Sequence, residues 1–348
     1  MVTGGGTAGH VIPSIPVIQR LLADGLEVSF IGSTSGLEEL LVTDLDLSFY
    51  GITTGKLRRY LSMENLVDVF RVFTGIWQAF ALIRKIKPVV VFSKGGYVAF
   101  PVVFAAWLNR VPVVAHESDL TPGLANRLCI PFLKSLCLNF PETRVRTRNV
   151  LVTGTAVRPE LLNGDAERGR EWLRAPAGSR VLVVVGGSLG AAAINVVIRE
   201  SLAQLCESYF VVHVCGAHQI DASFERPGYV QYEYISDEWG DVLATADLVI
   251  SRSGANALYE LLALQKLNIL IPLSRRASRG DQIENAEMAE RHGWSFVIPE
   301  ESLDSAALVN ALAFVERDRD YWMNNLRTFE TRDSVTMIYE ELARVARR

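Results

Sequence analysis

The sequence predicts an α/β fold of two doubly wound parallel-sheet domains, and three observations carry that prediction. Short apolar runs that suit buried parallel strands recur at residues 28–31, 47–52, 89–92, 113–115 and 150–152, with helical or loop segments between them. A strand, glycine turn and helix at the start is repeated where the apolar run 181–185 enters Gly186-Gly187-Ser188-Leu189-Gly190-Ala191. The length of 348 residues exceeds one ordinary core, so two domains are the default, the first over residues 1–153 and the second over 154–330.

Composition bounds the function. With 49% apolar and 21% charged residues the chain reads as globular and soluble. Residues 1–160 carry 16 Lys and Arg against 12 Asp and Glu, and residues 161–348 carry 19 against 27, so the halves stand at +4 and −8. A mildly basic first half suits an anionic surface, whereas nucleic acid calls for denser basic clusters, so no nucleic-acid partner is expected. Cys129, Cys137, Cys206 and Cys215 show neither a Cys-x-x-Cys pair nor zinc-finger spacing, which reads as reduced structural thiols with no metal. The start has no basic segment followed by an apolar one, so no secretory signal is expected, and the longest apolar run, 98–108, is too short to span a bilayer. Only three residues precede the first glycine, so the first strand reads as truncated.

Met1-Val2-Thr3 leads into Gly4-Gly5-Gly6-Thr7-Ala8-Gly9-His10, and Pro13, Ser14 and Pro16 mark the start of a helix that ends near Gly25. Glycines there let backbone approach a ligand that a Cβ would exclude. A dinucleotide fingerprint needs an acidic residue after the second strand; here that strand ends in Gly32-Ser33, which argues against a dehydrogenase. His10 sits at the end of the loop, at the sheet edge where α/β ligands bind, either as a functional group or as a cap of its own helix. Asp44-Leu45-Asp46 reads as a polar loop.

Residues 64–87 form a long helix candidate, with Leu66, Val69, Phe70, Phe73, Ile76, Trp77, Phe80 and Ile83 at helical spacing and Val67, Val72 and Leu82 widening the stripe. Lys56, Arg58 and Arg59 precede it and Arg84-Lys85-Ile86-Lys87 ends it. Such a helix suits docking on anionic lipid, or burial between the sheet and its neighbours. Two further loops follow strands at the edge that carries His10: Ser93-Lys94-Gly95-Gly96-Tyr97, and His116-Glu117-Ser118-Asp119-Leu120-Thr121-Pro122-Gly123-Leu124-Ala125-Asn126. Thr121-Pro122 reads as a helix cap with proline in the first turn. Glu117 is a candidate base, an orienter of one, or a solvated loop carboxylate.

Strands of the second half are expected at residues 210–215, 230–233, 248–251, 268–271 and 295–298, followed by a polar helix from Leu303. The stretch 248–272 organises this half. Its strand breaks at Ser253-Gly254 and continues as a helix, so unpaired backbone N–H groups and the positive helix end face the sheet edge, which suits a phosphate. Glu260, near the first turn, can accept hydrogen bonds from a ribose diol; the plainer reading has Ser253 capping the helix and Glu260 balancing its dipole.

Together Gly4-Gly5-Gly6-Thr7-Ala8-Gly9-His10, Ser93-Lys94-Gly95-Gly96-Tyr97, the loop 116–126, Gly186-Gly187-Ser188-Leu189-Gly190-Ala191, Arg252-Ser253-Gly254-Ala255 and Asp281-Gln282-Ile283-Glu284-Asn285-Ala286 resemble the MurG family, glycosyltransferase family 28. The match runs in order from Val2 to about Ala286. The resemblance implies a GT-B fold, two Rossmann-like domains facing across a cleft, with the last segment, 331–348, returning to the first domain. It implies an inverting enzyme that moves N-acetylglucosamine from UDP-N-acetylglucosamine to the 4-hydroxyl of MurNAc in undecaprenyl-pyrophosphoryl-MurNAc-pentapeptide, converting lipid I to lipid II in peptidoglycan synthesis.

By the same resemblance the second domain holds the donor. Ile235 reads uracil through its backbone, Glu260 holds the ribose, Arg158 and Ser188 meet the diphosphate, and Gln282 meets the sugar, with Ser253, Gly254, Ala255 and Asn256 lining the site. The first domain takes the acceptor, its phosphates near the glycine loops at Gly5–Gly9 and Gly95–Gly96, and Thr7, Ala8, Gly9, Asp119 and Asn126 are further substrate-binding residues. His10 is the favoured base and Glu117 the second, since one group must take the hydroxyl proton. No cofactor is implied. The place implied is the cytoplasmic face of the bacterial membrane, as a peripheral protein on its anionic surface. The chain departs from the family where Asn256-Ala257 replaces a frequent Leu-Thr and where Asp119 replaces Asn. Competing readings are another GT-B enzyme, acting on diacylglycerol or as an epimerase, and a membrane-peripheral assembly protein that binds UDP-sugar without turnover.

Overall fold

In the computed structural model, which describes residues 1–55, 63–147, 149–187 and 190–347, the chain divides into two units. One comprises Met1–Ala156 with Arg332–Arg348, the other Val157–Thr331.

The first unit runs β1 (Val2–Thr3), α1 (Ile15–Ala23), β2 (Ser29–Ser33), α2 (Glu38–Val42), β3 (Ser48–Ile52), α3 (Met63–Ile86), β4 (Val91–Ser93), α4 (Ala99–Leu108), β5 (Val113–Glu117), α5 (Leu124–Cys129), β6 (Ser135–Leu138) and β7 (Val150–Val152). Its seven strands lie in the order β3-β2-β1-β4-β5-β6-β7, all parallel. Both faces are covered, which is why the strands read as continuous apolar runs. Successive residues serve opposite faces: Phe30, Phe92 and Val114 pack with Val17 and Ile18, whereas Ile31, Val91 and Val113 pack with Ile83, Val102 and Val103.

The second unit runs α6 (Pro159–Leu162), α7 (Ala166–Leu173), β8 (Val181–Val185), α8 (Ala192–Ser208), β9 (Phe210–Val214), β10 (Tyr229–Tyr232), α9 (Trp239–Thr245), β11 (Leu248–Ser251), α10 (Ala255–Ala263), β12 (Asn268–Leu270), α11 (Asp281–Arg291), β13 (Phe296–Val297), α12 (Ser305–Arg317) and α13 (Arg319–Leu326). Its six strands take the order β10-β9-β8-β11-β12-β13, again parallel. The final helix, α14 (Ser334–Ala346), belongs to the first unit. Ile338, Leu342 and Val345 fall on one helical stripe and bury beside Val17 and Ile18 of α1. The Arg20 guanidinium lies over the Tyr339 ring.

Strand order reverses between β1 and β4 in the first sheet and between β8 and β11 in the second. At such a switch point the connections leave in opposite directions, which opens a crevice beyond the C-terminal strand ends. The glycine loops singled out in the sequence follow β1, β4, β8 and β11. Among the described residues no helix is long and apolar enough to cross a membrane.

Candidate functional site

Around the first switch point three loops are stitched together. Gly5 N–H donates to Gly95 O at 3.2 Å and Lys94 N–H to Thr3 O at 2.8 Å, so the loops after β1 and β4 hold one another. Gly96 has a φ of +82°, and a Cβ there would overlap the Gly5 carbonyl oxygen. Gly6 N–H donates to the buried Glu38 carboxylate at 2.8 Å. Ala8–His10 form a short 3-10 turn with Thr7 and Gly9 exposed, and from it the His10 ring reaches the Lys94 carbonyl, Nδ1 to O 3.3 Å. A carbonyl only accepts, so Nδ1 carries a proton, and in the neutral ring the lone pair is then on Nε2, the tautomer a base acting through Nε2 requires.

The Lys94 side chain turns inward and is 3% exposed. Its Nζ donates to His116 Nδ1 and to Ser118 Oγ, each at 2.7 Å. His116 donates from Nε2 to Gly154 O at 2.8 Å, which leaves Nδ1 as the acceptor. Burial lowers the Lys94 pKa to about 7, opposed by the Glu117 and Asp119 carboxylates. Burial and the neighbouring ammonium hold His116 well below the usual imidazole range.

Glu117 is buried at the end of β5. Its Oε1 accepts Asp119 N–H at 3.0 Å, and its Oε2 accepts Gly123 N–H at 3.1 Å and the Asn126 amide at 2.8 Å. The solvated-carboxylate alternative therefore fails. The helix expected from Thr121-Pro122 also starts later: α5 begins at Leu124 with Gly123 as its N-cap. The physical reason is Glu117, which folds residues 118–123 around its two oxygens.

At the second switch point Arg158 precedes Pro159, which opens α6, and the residue before a proline is held extended. That places the Arg158 Nε 3.7 Å from Glu260 Oε1. Glu260 sits in the second turn of α10 rather than the first. Burial raises its pKa and Arg158 opposes the rise. Ser253 does not cap α10; Gly254 is the N-cap, and the Ser253 hydroxyl donates to Gln282 O at 2.8 Å. The cap bond is lost because the hydroxyl is drawn to α11, whose Asn285 amide returns a bond to Ser253 O at 3.2 Å. The Gln282 side-chain oxygen accepts Leu273 N–H at 3.0 Å. Arg252 pairs with Glu300, which also accepts Ser274 N–H at 3.0 Å. A Cβ built on Gly254 meets no atom within 4 Å, so the start of α10 faces open space.

Ile235 follows β10 as a buried residue between exposed Tyr234 and Ser236, with its backbone at the sheet edge. Ala255 is buried and Asn256 half-buried in the first turn of α10. Ser188 lies outside the described residues, as do Lys56, Arg58 and Arg59. The structure thus joins Arg158 to Glu260 and Ser253 to Gln282, and joins Glu117 to Asn126. Sequence reasoning missed Glu38 and the part played by Lys94; the signal available for Lys94 was an ammonium directly before two glycines at a strand end.

The chain resembles known proteins in both sequence and fold. Residues 1–137 match the glycosyltransferase family 28 N-terminal domain and residues 181–335 the family's C-terminal domain. It is 45% identical to the UDP-N-acetylglucosamine--N-acetylmuramyl-(pentapeptide) pyrophosphoryl-undecaprenol N-acetylglucosamine transferase of Clostridium perfringens (strain SM101 / Type A), over 99% of this chain and 98% of that protein. The Clostridium kluyveri protein of the same name is 44% identical, over 97% of each chain. The crystal structure of Acinetobacter baumannii MurG superposes with a TM-score of 0.79 at 25% identity, over 99% of both chains.

Proposed function

The chain belongs to glycosyltransferase family 28 and has the GT-B fold, and from that premise we propose that it transfers N-acetylglucosamine from UDP-N-acetylglucosamine to lipid I, forming lipid II for peptidoglycan. The observation that carries this reading is 45% identity spread over 99% of the chain, so that both switch-point loop clusters fall within it. The 4-hydroxyl of the muramoyl sugar attacks C1 of the donor sugar from the face opposite UDP. The C1–O bond to the diphosphate breaks, configuration inverts, and the hydroxyl proton passes to a base.

The second unit takes the donor. The α10 N-terminus and the Arg158 guanidinium offset the charge growing on the departing diphosphate, an electrostatic contribution aimed at the transition state. Glu260, held by Arg158, accepts from the ribose diol; the Ile235 backbone reads uracil, and Gln282, fixed by Ser253 and Leu273, meets the sugar. Ser188 completes the diphosphate contacts from its glycine loop.

The first unit takes the acceptor at Thr7, Ala8, Gly9, Asp119 and Asn126. His10 is the base, acting through Nε2. Glu117 spends its oxygens on Asp119, Gly123 and Asn126 and so shapes the acceptor loop. Docking at the cytoplasmic face of the membrane falls to α3, where Val69, Phe70, Phe73 and Trp77 are 42%, 69%, 59% and 71% exposed and Arg84 and Lys85 end the helix.

Turnover with a soluble lipid I analogue tests the proposal, with UDP-N-acetylgalactosamine and UDP-glucose as donor controls. Product with UDP-N-acetylglucosamine alone is expected. Transfer to diacylglycerol with none to lipid I would move the chain to another GT-B activity, and UDP-sugar binding without any turnover would make it an assembly protein.

A further inference from the structure

Lys94 is a buried cation for which the transfer mechanism above has no use, yet it touches both halves of the acceptor loop cluster. We propose that Lys94 is a positioning residue for glycosyl transfer, holding the imidazole of His10 through its main-chain carbonyl and the 116–123 loop through its ammonium. The inference rests on the reading of His10 as the base.

An ammonium taken from water is costly unless its donors are met, and a lysine that merely filled the interior would be better replaced by an apolar side chain. Here two of the three donors are met by groups belonging to a different loop, His116 Nδ1 and Ser118 Oγ. The main chain of Lys94 is itself anchored to β1 through Thr3 O. Tension or slack at Nζ is therefore passed along the side chain to the Lys94 carbonyl, and that carbonyl fixes which His10 nitrogen is protonated. The groups facing the ammonium are His116 and Ser118 in contact, with the Glu117 and Asp119 carboxylates acting on it through charge and the neutral Cys137 thiol nearby. His116 can accept only while neutral, which its burial and the neighbouring ammonium enforce, while its bond to Gly154 O sets the tautomer.

The consequence is geometric. A base displaced by about an ångström loses on the order of a hundredfold in rate, while the donor contacts on the second unit stay as they were. The test is Lys94→Met, which keeps the stem and the carbonyl and removes the donors, beside Ser118→Ala, which removes one acceptor and leaves the lysine. Measured together are kcat, acceptor KM, UDP affinity, thermal midpoint, and the ring-nitrogen chemical shifts of 15N-labelled histidine. In the wild type His10 should report the Nδ1–H tautomer and His116 the Nε2–H tautomer. Lys94→Met should lose about tenfold or more in kcat, keep its UDP affinity, and move His10 toward a mixture of tautomers; Ser118→Ala should do the same to a smaller degree. A folded Lys94→Met enzyme with wild-type kcat overturns the proposal, and so does a Ser118→Ala enzyme whose His10 tautomer and turnover are both unaltered. Should His10→Ala turn over normally, the base assignment fails by itself, and the His10 tautomer in Lys94→Met still decides whether Lys94 holds it.

Discussion

Glu260 and Arg158 meet across about a hundred residues of sequence, Oε1 to Nε 3.7 Å, at the start of the second unit's helix cluster. A carboxylate held this way keeps one oxygen oriented by the guanidinium.

Removing it should cost donor affinity. Glu260→Ala is expected to weaken UDP binding by roughly tenfold to a hundredfold, the value of a hydrogen bond to a charged group. His10→Ala should leave UDP affinity intact and lower kcat by about a hundredfold or more, as loss of a general base does. Titration calorimetry with UDP and steady-state turnover separate the two; equal loss of UDP affinity in both would sink the division of roles.

Gly96→Ala should destabilise the first unit. The position has a φ of +82° and its Cβ would enter the space of the Gly5 carbonyl. Strain at such a site is worth about 1–3 kcal/mol, and the overlap adds to it. Urea unfolding is the readout, and a midpoint unchanged from the wild type would contradict the packing of the two loops.

On α3, exchanging Phe73 and Trp77 for serine should detach the protein from anionic vesicles. Each buried large apolar side chain contributes up to about 1.5–3 kcal/mol, so the double variant should bind at least about tenfold more weakly in a sedimentation assay. Turnover of a soluble acceptor should not change, because neither side chain is at a switch point.

Acid should destabilise the fold before carboxylates dominate. His213 is buried, donating from Nε2 to Asn195 Oδ1 at 2.9 Å and accepting from the Tyr229 hydroxyl at 2.8 Å, and burial pushes its pKa down to about 3. Between the ordinary imidazole value of about 6.5 and about 3 the unfolded chain binds a proton that the folded chain does not, so stability falls as pH falls through that window. His116 adds the same sign. Thermal midpoints should therefore drop from pH 7.5 to pH 5, and His213→Gln should flatten that slope.

The sequence by itself determined the alternating strands and helices, the glycine loops at strand ends and the family they resemble, because each is written in residues close along the chain. Period-2 and period-3.6 apolar spacing and the left-handed freedom of glycine are local properties. Tertiary structure alone decided which side chains meet. Thr121-Pro122 has the local form of a helix start, yet the Glu117 carboxylate captures Asp119 and Gly123 N–H and delays α5 to Leu124. Ser253 has the local form of a cap, yet the approach of α11 draws its hydroxyl to Gln282. The same holds for Lys94 and His116, joined through the interior, and for α14, whose stripe of Ile338, Leu342 and Val345 finds its partner in α1 at the opposite end of the chain. Buried polar groups and apolar stripes must each be satisfied by something, and what satisfies them is chosen by packing in three dimensions.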